Sequence, residues 1–159
     1  MEISLTPMEF ARRAKRLYSE SEAVEDGELR LTYGQFFERC DRWSKALQGM
    51  GVKKGDRVAY IAPNTHSHLE AYYAVPQIGA VLVPINYRLK SEEFEYILNH
   101  CGAKVLCVHP DFYDAIDGIR DQIKTVEAFI GLEDALPNWI DYEAKIQQHD
   151  ASFTPVEID

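Results

Sequence analysis

RVAYIAPNTHSHLEAYYAVPQIGAVLVPI, residues 57–85, holds two apolar runs, 57–62 and 80–85, joined by a stretch of helical character. Both runs are nearly continuous rather than alternating, as expected of strands covered on both faces. In the connector, Pro76 is expected to bend a helix near its end and Gly79 to stop it. The "SHLE" within it can form a capping box, with Ser67 and Glu70 closing free backbone N–H groups. The same alternation continues downstream. "KVLCVH" (104–109) and "VEAFIG" (126–131) read as further strands. "SEEFEYILNHCG" places Phe94, Ile97, Leu98 and Cys101 on one helical face and ends in Gly102. "DFYDAIDGIRDQI" does the same with Phe112, Ile116, Ile119 and Ile123. Strand and helix in alternation predict an α/β fold, a parallel β-sheet flanked by helices.

Upstream, Phe10, Ala14, Leu17 and Tyr18 fall on one face of a helix over 8–18, with Arg12, Arg13, Lys15 and Arg16 mostly on the other. "AVEDGELRLTY" reads as a short N-terminal hairpin turning at Asp26-Gly27. Thr32 and Gln35 in "TYGQ" can form a capping box that starts a second helix. Phe36, Cys40, Trp43, Leu47 and Met50 then recur at steps of four and three, a strongly buried face. After Leu136 one short helical pattern, "YEAKIQQH", precedes a polar tail without periodicity.

The 159 residues suit a single domain. Residues 1–80 carry equal numbers of acids and bases, so residues 81–159 supply the whole net charge of −9. An acidic half repels phosphate backbones and anionic headgroups, which excludes nucleic acid as an expected partner. Three cysteines, Cys40, Cys101 and Cys107, without CxxC spacing, argue against a disulfide framework or a zinc site and read as core residues in a reducing compartment. The amino terminus has no apolar leader and no run reaches membrane-span length, so the expected location is cytoplasmic.

The glycines of "GMGVKKGDRVAYI", 49–61, pose the question of a phosphate loop. Such a loop lies between the end of a strand and the start of a helix, so that backbone N–H groups face the anion. This one has the opposite order, helix then strand, and reads as a helix stop, with Gly49 and Gly51 at a left-handed cap, followed by a polar turn. There is no G-x-S-x-G or H-E-x-x-H, and His66 and His68, two apart, cannot act as an i, i+4 metal pair. "SEEFE" is an acidic helix start that suits the macrodipole. No catalytic constellation and no metal site emerge from the residues alone.

The order of the pieces carries more. "LRLTYGQF", then "LQGMGVKKGDRVAYIAPNTHSHLEAYYAVPQIGAVLVPINYRL", then "EYILNHCGAKVLCV" resembles the start of the adenylate-forming, AMP-binding superfamily, most of all its medium- and long-chain fatty acyl-CoA synthetases. "LTYGQF" resembles the first core motif and "IGAVLVPIN" the second, and the likeness runs from about Ala23 to at least Val108. It implies a ligase that uses ATP, CoA and Mg2+ to turn a fatty acid into acyl-AMP and then a thioester. It also implies a Ser/Thr/Gly-rich phosphate loop, a Thr-Glu pair for magnesium, a ribose-binding aspartate and a mobile lysine. None of these motifs occurs in residues 1–159. The expectation is therefore a single α/β N-terminal subdomain of a longer enzyme, inactive by itself and binding none of these cofactors tightly, with the small-molecule substrates as the parent's partners. A homodimer stays open, and peripheral membrane contact is expected only if the acid is long-chain.

Asn86 and Arg88 follow the C-terminal end of a predicted parallel strand, the side where such sheets bind ligands. Arg88 is the one candidate cofactor contact, for a CoA or nucleotide phosphate; local carbonyl capping or pairing is the structural alternative. Two other readings compete with the ligase scaffold. One is a standalone interaction or dimerisation module of the same fold. The other, a small flavodoxin-like nucleotide binder, is disfavoured by the missing phosphate loop.

Overall fold

A computed structural model describes residues 5–158. Residues 1–4, on which the reading of a leaderless amino terminus partly rests, and Asp159 lie outside the described residues. The helices are α1 (Pro7–Tyr18), α2 (Tyr33–Gly49), α3 (His66–Ala74), α4 (Ser91–Cys101), α5 (Tyr113–Asp117) and α6 (Tyr142–Gln148). The strands are β1 (Glu22–Asp26), β2 (Leu29–Thr32), β3 (Arg57–Ile61), β4 (Val81–Ile85), β5 (Ala103–Val108), β6 (Ala128–Gly131) and β7 (Ile140–Asp141). β1 and β2 form the antiparallel hairpin, with Gly27 at φ +57° in its turn. β3 to β7 form one parallel sheet in the order β4-β3-β5-β6-β7.

Period-two alternation divides the core in two. Val58, Tyr60, Val105, Cys107 and Ile130 face the layer of α2, α3 and α6, where Phe36, Cys40, Trp43, Leu47, Ala71 and Tyr142 are buried. Ala59, Ile61, Leu106 and Val108 face α4 and the α5 segment, against Phe94, Leu98, Ile116 and Trp139. The Thr32–Gln35 capping box is present, and its two bonds fix the start of α2. Trp43 Nε1–H donates to the Tyr60 hydroxyl at 2.8 Å, so two large rings meet in the core with their polar atoms paired.

Several expectations are corrected. On α1 the packed face is the small one: Ala11 is buried, whereas Phe10 and Leu17 are 60% and 50% exposed. The cap of α3 is Thr65, whose hydroxyl accepts the His68 N–H at 3.4 Å, so Ser67 and Glu70 lie inside the helix. Gly49 is the last helical residue of α2, and the left-handed conformation belongs to Gly51, at φ +86°. The segment 110–123 is three short pieces, α5 between two 3-10 turns, yet Ile116, Ile119 and Ile123 are buried as the spacing requires. β4 is an edge strand whose cover is partial: Leu82 packs on one core layer and Val83 and Ile85 on the other, while Val81 and Pro84 are exposed. The polar tail is held in place: Thr154 and Gln48 exchange two hydrogen bonds, and the Val156 N–H donates to the Gln77 carbonyl. All three cysteines are free thiols; Cys40 and Cys107 are buried and Cys101 partly so.

Candidate functional site

In a sheet of this order the connection from β3 leads one way, to β4, and that from β5 the other, to β6. The crevice at the C-terminal ends of β3 and β5 is the topological switch point, where doubly wound sheets hold ligands. One wall is the loop from Ala62 to His66. Opposite it, His109 follows β5, with its N–H donating to the Ile61 carbonyl at 2.9 Å. Asn86 and Arg88 share this edge of the sheet but stand outside the crevice, beyond β4. The Arg88 N–H donates to Asn86 Oδ1 at 3.0 Å, and its exposed guanidinium lies 5.7 Å from the Tyr87 ring.

The "GMGVKKGD" loop presents the wrong groups for an anion. Lys104 Nζ–H donates to the Gly51 carbonyl at 2.7 Å and to Asp56 at 3.0 Å, and the Asp56 carboxylate also accepts the Lys53 N–H. Carbonyl and carboxylate thus converge on an ammonium, the reverse of a phosphate cradle.

Beside the switch point lies an ionic cluster that the sequence did not announce. Glu70, with a wholly buried side chain, accepts from Arg39 Nε and Nη2 at 3.2 and 3.1 Å and from the Tyr142 hydroxyl at 3.3 Å. The same guanidinium donates to Glu143 at 2.6 and 3.0 Å. His66 stands 2.7 Å from Asp26 and 3.5 Å from Glu143, and its backbone N–H also donates to Asp26. The group ties α2, α3, α6 and the hairpin together. Burial pushes the Glu70 carboxyl above its ordinary range, and Arg39 only partly offsets this. Burial also disfavours charged Glu143, but donors on His66 and Arg39 prevail and bring it down to about 2. For His66, burial is outweighed by its hydrogen bonds to Glu143 and Asp26, which hold the imidazole above its usual value. Hydrogen bonds from the His66 backbone and ring lower Asp26. The cluster saturates its own charges, which is the behaviour of a structural staple. Its only local sequence signal was Glu70 itself, an acid inside an apolar helix.

Among the described residues no three His, Cys, Asp or Glu side chains converge on a point that could hold a metal ion. The described residues therefore do not fit a magnesium site. No helix among them is long and apolar enough to cross a membrane.

Comparison with known proteins agrees with the geometry. The family model described as "AMP-binding enzyme" matches residues 10–157. A long-chain-fatty-acid–CoA ligase of Thermus thermophilus is 39% identical over 148 residues, covering 90% of this chain and 27% of that protein. 4-Hydroxybutyrate–CoA ligase 2 of Metallosphaera sedula is 35% identical over 120 residues, covering 76% of this chain and 22% of that one. The crystal structure of the N-terminal domain of FACL13 from Mycobacterium tuberculosis superposes with a TM-score of 0.84 at 29% identity, over 93% of this chain and 37% of that one. The chain thus spans about a quarter of the length of these curated relatives. On its family match and its doubly wound parallel sheet, the chain belongs to the AMP-binding enzymes, the adenylate-forming ligase family.

Proposed function

We propose that these residues are the N-terminal scaffold of an ATP-dependent fatty acyl-CoA ligase working in the cytoplasm. In this reading the whole enzyme lets a fatty-acid carboxylate attack the α-phosphate of ATP. Pyrophosphate leaves, and the CoA thiol then displaces AMP to give the thioester. The observation that carries the reading is the match across residues 10–157, joined to 39% identity with a relative named for long-chain fatty acids. The scaffold role is supported by what the described residues do with their charges. At the 49–56 loop Lys104 occupies the Gly51 carbonyl and the Asp56 carboxylate, and Arg39, Glu70, Glu143 and His66 satisfy one another. In this account the sheet supports a reaction centre built by other residues, and Arg88, on the C-terminal edge of the sheet but outside the switch-point crevice, is the candidate contact for a phosphate of ATP or CoA.

Two measurements test it. The full-length reading frame should release pyrophosphate only when ATP and a fatty acid are both present; an enzyme indifferent to fatty acids would remove the substrate assignment. Arg88→Ala in that enzyme should raise KM for ATP or CoA about tenfold, the loss expected of one charge-assisted contact. Unchanged constants for both would remove Arg88 from the site.

A further inference from the structure

We propose that His66 is a proton-operated latch that ties the wall of the switch-point crevice to α6, closed while both ring nitrogens carry protons and open at Glu143 when only one does. This does not depend on the ligase reading. His66 is the first residue of α3 and ends the crevice wall that begins at Ala62. Its two ring nitrogens face carboxylates on separate elements. Nδ1 lies 2.7 Å from Asp26 Oδ2 on β1, and Nε2 lies 3.5 Å from Glu143 Oε1 on α6. An ionised carboxylate only accepts, and a neutral imidazole carries a single N–H. Both contacts can therefore be made together only by the imidazolium. The His66 side chain is 13% exposed and lines a cavity of about 210 Å³ beside α3, so its proton can exchange with solvent.

The surroundings decide which contact opens. Asp26 makes the shorter one and also accepts the His66 backbone N–H at 2.9 Å, so the last proton stays on Nδ1. Nε2 then turns a lone pair toward Glu143 Oε1 and toward Glu70 Oε1 at 3.9 Å. Neither acid supplies a replacement proton there. Glu143 is held ionised by His66 and Arg39. Glu70 Oε1 already accepts from Arg39 Nε and Nη2, and its other oxygen faces the Tyr142 hydroxyl. Arg39, the cation facing this group from α2, is engaged with Glu70 and Glu143, and His109, which acts on Asp26 from beyond β5, faces Asp111 at 3.4 Å. Burial works against the imidazolium, but its hydrogen bonds to Glu143 and Asp26 outweigh that and hold the proton past the ordinary histidine value. Once the latch opens, Glu143 keeps its pair with Arg39, and Tyr142 and Ile146 keep α6 seated in the core. What is lost is the direct tie between α6 and the crevice wall.

The test follows hydrogen exchange and nitrogen-15 NMR of the 159-residue chain from pH 5 to pH 9. Amides of Ile146, Gln147 and Gln148, in the last turn of α6, are compared with those of the central strand β5, which report global opening, each corrected for its intrinsic exchange rate. As His66 titrates, α6 protection should fall about fivefold relative to β5, the ratio expected of one hydrogen bond. The step should share the midpoint of the His66 ring rather than that of His149, which caps the end of α6. The ring spectrum should show Nε2 losing its proton and Nδ1 keeping one. Glu143→Gln should abolish the step, because a side-chain amide can donate to the neutral Nε2. A constant ratio, a step that follows His149, a His66 ring that keeps one protonation state throughout, loss of the proton from Nδ1, or an unchanged step in Glu143→Gln would each overturn the proposal. If that variant does not fold, the ratio and the ring signals of the unaltered chain decide the matter.

Discussion

Replacing Arg39 with Met probes the ionic cluster where its energetics are most exposed to test. Arg39 gives Glu70 two of its three hydrogen bonds, and the Glu70 side chain has no contact with solvent. Without the guanidinium, Glu70 retains the Tyr142 hydroxyl and a His66 nitrogen at 3.9 Å, and it still faces Glu143. Removing one partner of a buried pair costs about 3–5 kcal/mol. The Arg39–Glu143 contact adds little, since Glu143 is 40% exposed and screened. The expected loss at pH 7 is therefore about 3 kcal/mol, a large share of the roughly 5–15 kcal/mol that holds a domain together. Urea unfolding followed by the fluorescence of buried Trp43 and Trp139 reads it directly. The deficit must also depend on pH. Glu70 is already raised above 4.5 by burial, and losing Arg39 raises it further. A carboxyl raised in the folded state contributes stability below its unfolded value and loses it as pH rises through the folded value. The deficit should therefore shrink as pH falls toward 4.5, and the double variant Arg39→Met/Glu70→Met should be more stable than Arg39→Met alone. A loss below about 1 kcal/mol, typical of a surface pair, or a deficit independent of pH would refute the reasoning.

Three further outcomes follow from the same contacts. His66, raised above 6.5 among Asp26, Glu70, Glu143 and Arg39, contributes stability below that pH and loses it as pH rises through its folded value. Glu143, lowered from 4.5 to about 2, contributes stability above 4.5 and loses it as pH falls. Melting temperature should therefore peak between roughly pH 5 and 6.5, and His66→Gln should flatten the alkaline fall. Lys104→Met, which strips the Gly51 carbonyl and Asp56 of their cation, should cost about 1–3 kcal/mol in urea unfolding, against under about 0.5 kcal/mol for exposed Lys53→Ala. Phe10→Ser should cost under about 0.5 kcal/mol, as at a surface site, because the ring is mostly exposed; a loss of about 3 kcal/mol would mean that it is packed after all.

What the sequence could disclose was local. The spacing of Phe36, Cys40, Trp43 and Leu47 and the apolar runs at 57, 104 and 126 each need only a few neighbours to be read, and they predicted α2 and the central strands correctly. The order helix, glycine, strand argued against a phosphate loop at 49–56, and Lys104 occupies the Gly51 carbonyl there. α1 was misread because periodicity shows that a helix has an apolar stripe without showing what lies opposite. α2 takes the alanine side, where backbones approach closely. β7, two residues long, offers too little pattern to detect. Glu70 passed for a capping acid because its partners are 31 and 72 residues away, at Arg39 and Tyr142. His68 gave no sign of its burial, since stacking between Tyr60 and Tyr72 depends on α3 packing over β3. Arg88 follows β4 on the C-terminal edge of the sheet, outside the switch-point crevice, where its contacts are with Asn86 and Tyr87.

The most direct test of the central claim is calorimetric titration of MgATP into the 159-residue chain, with pyrophosphate release measured on the same preparation in the presence of a fatty acid. A scaffold that lacks an anion cradle predicts no saturable heat at millimolar ATP and no pyrophosphate. Micromolar binding, or sustained fatty-acid-dependent turnover, would contradict it.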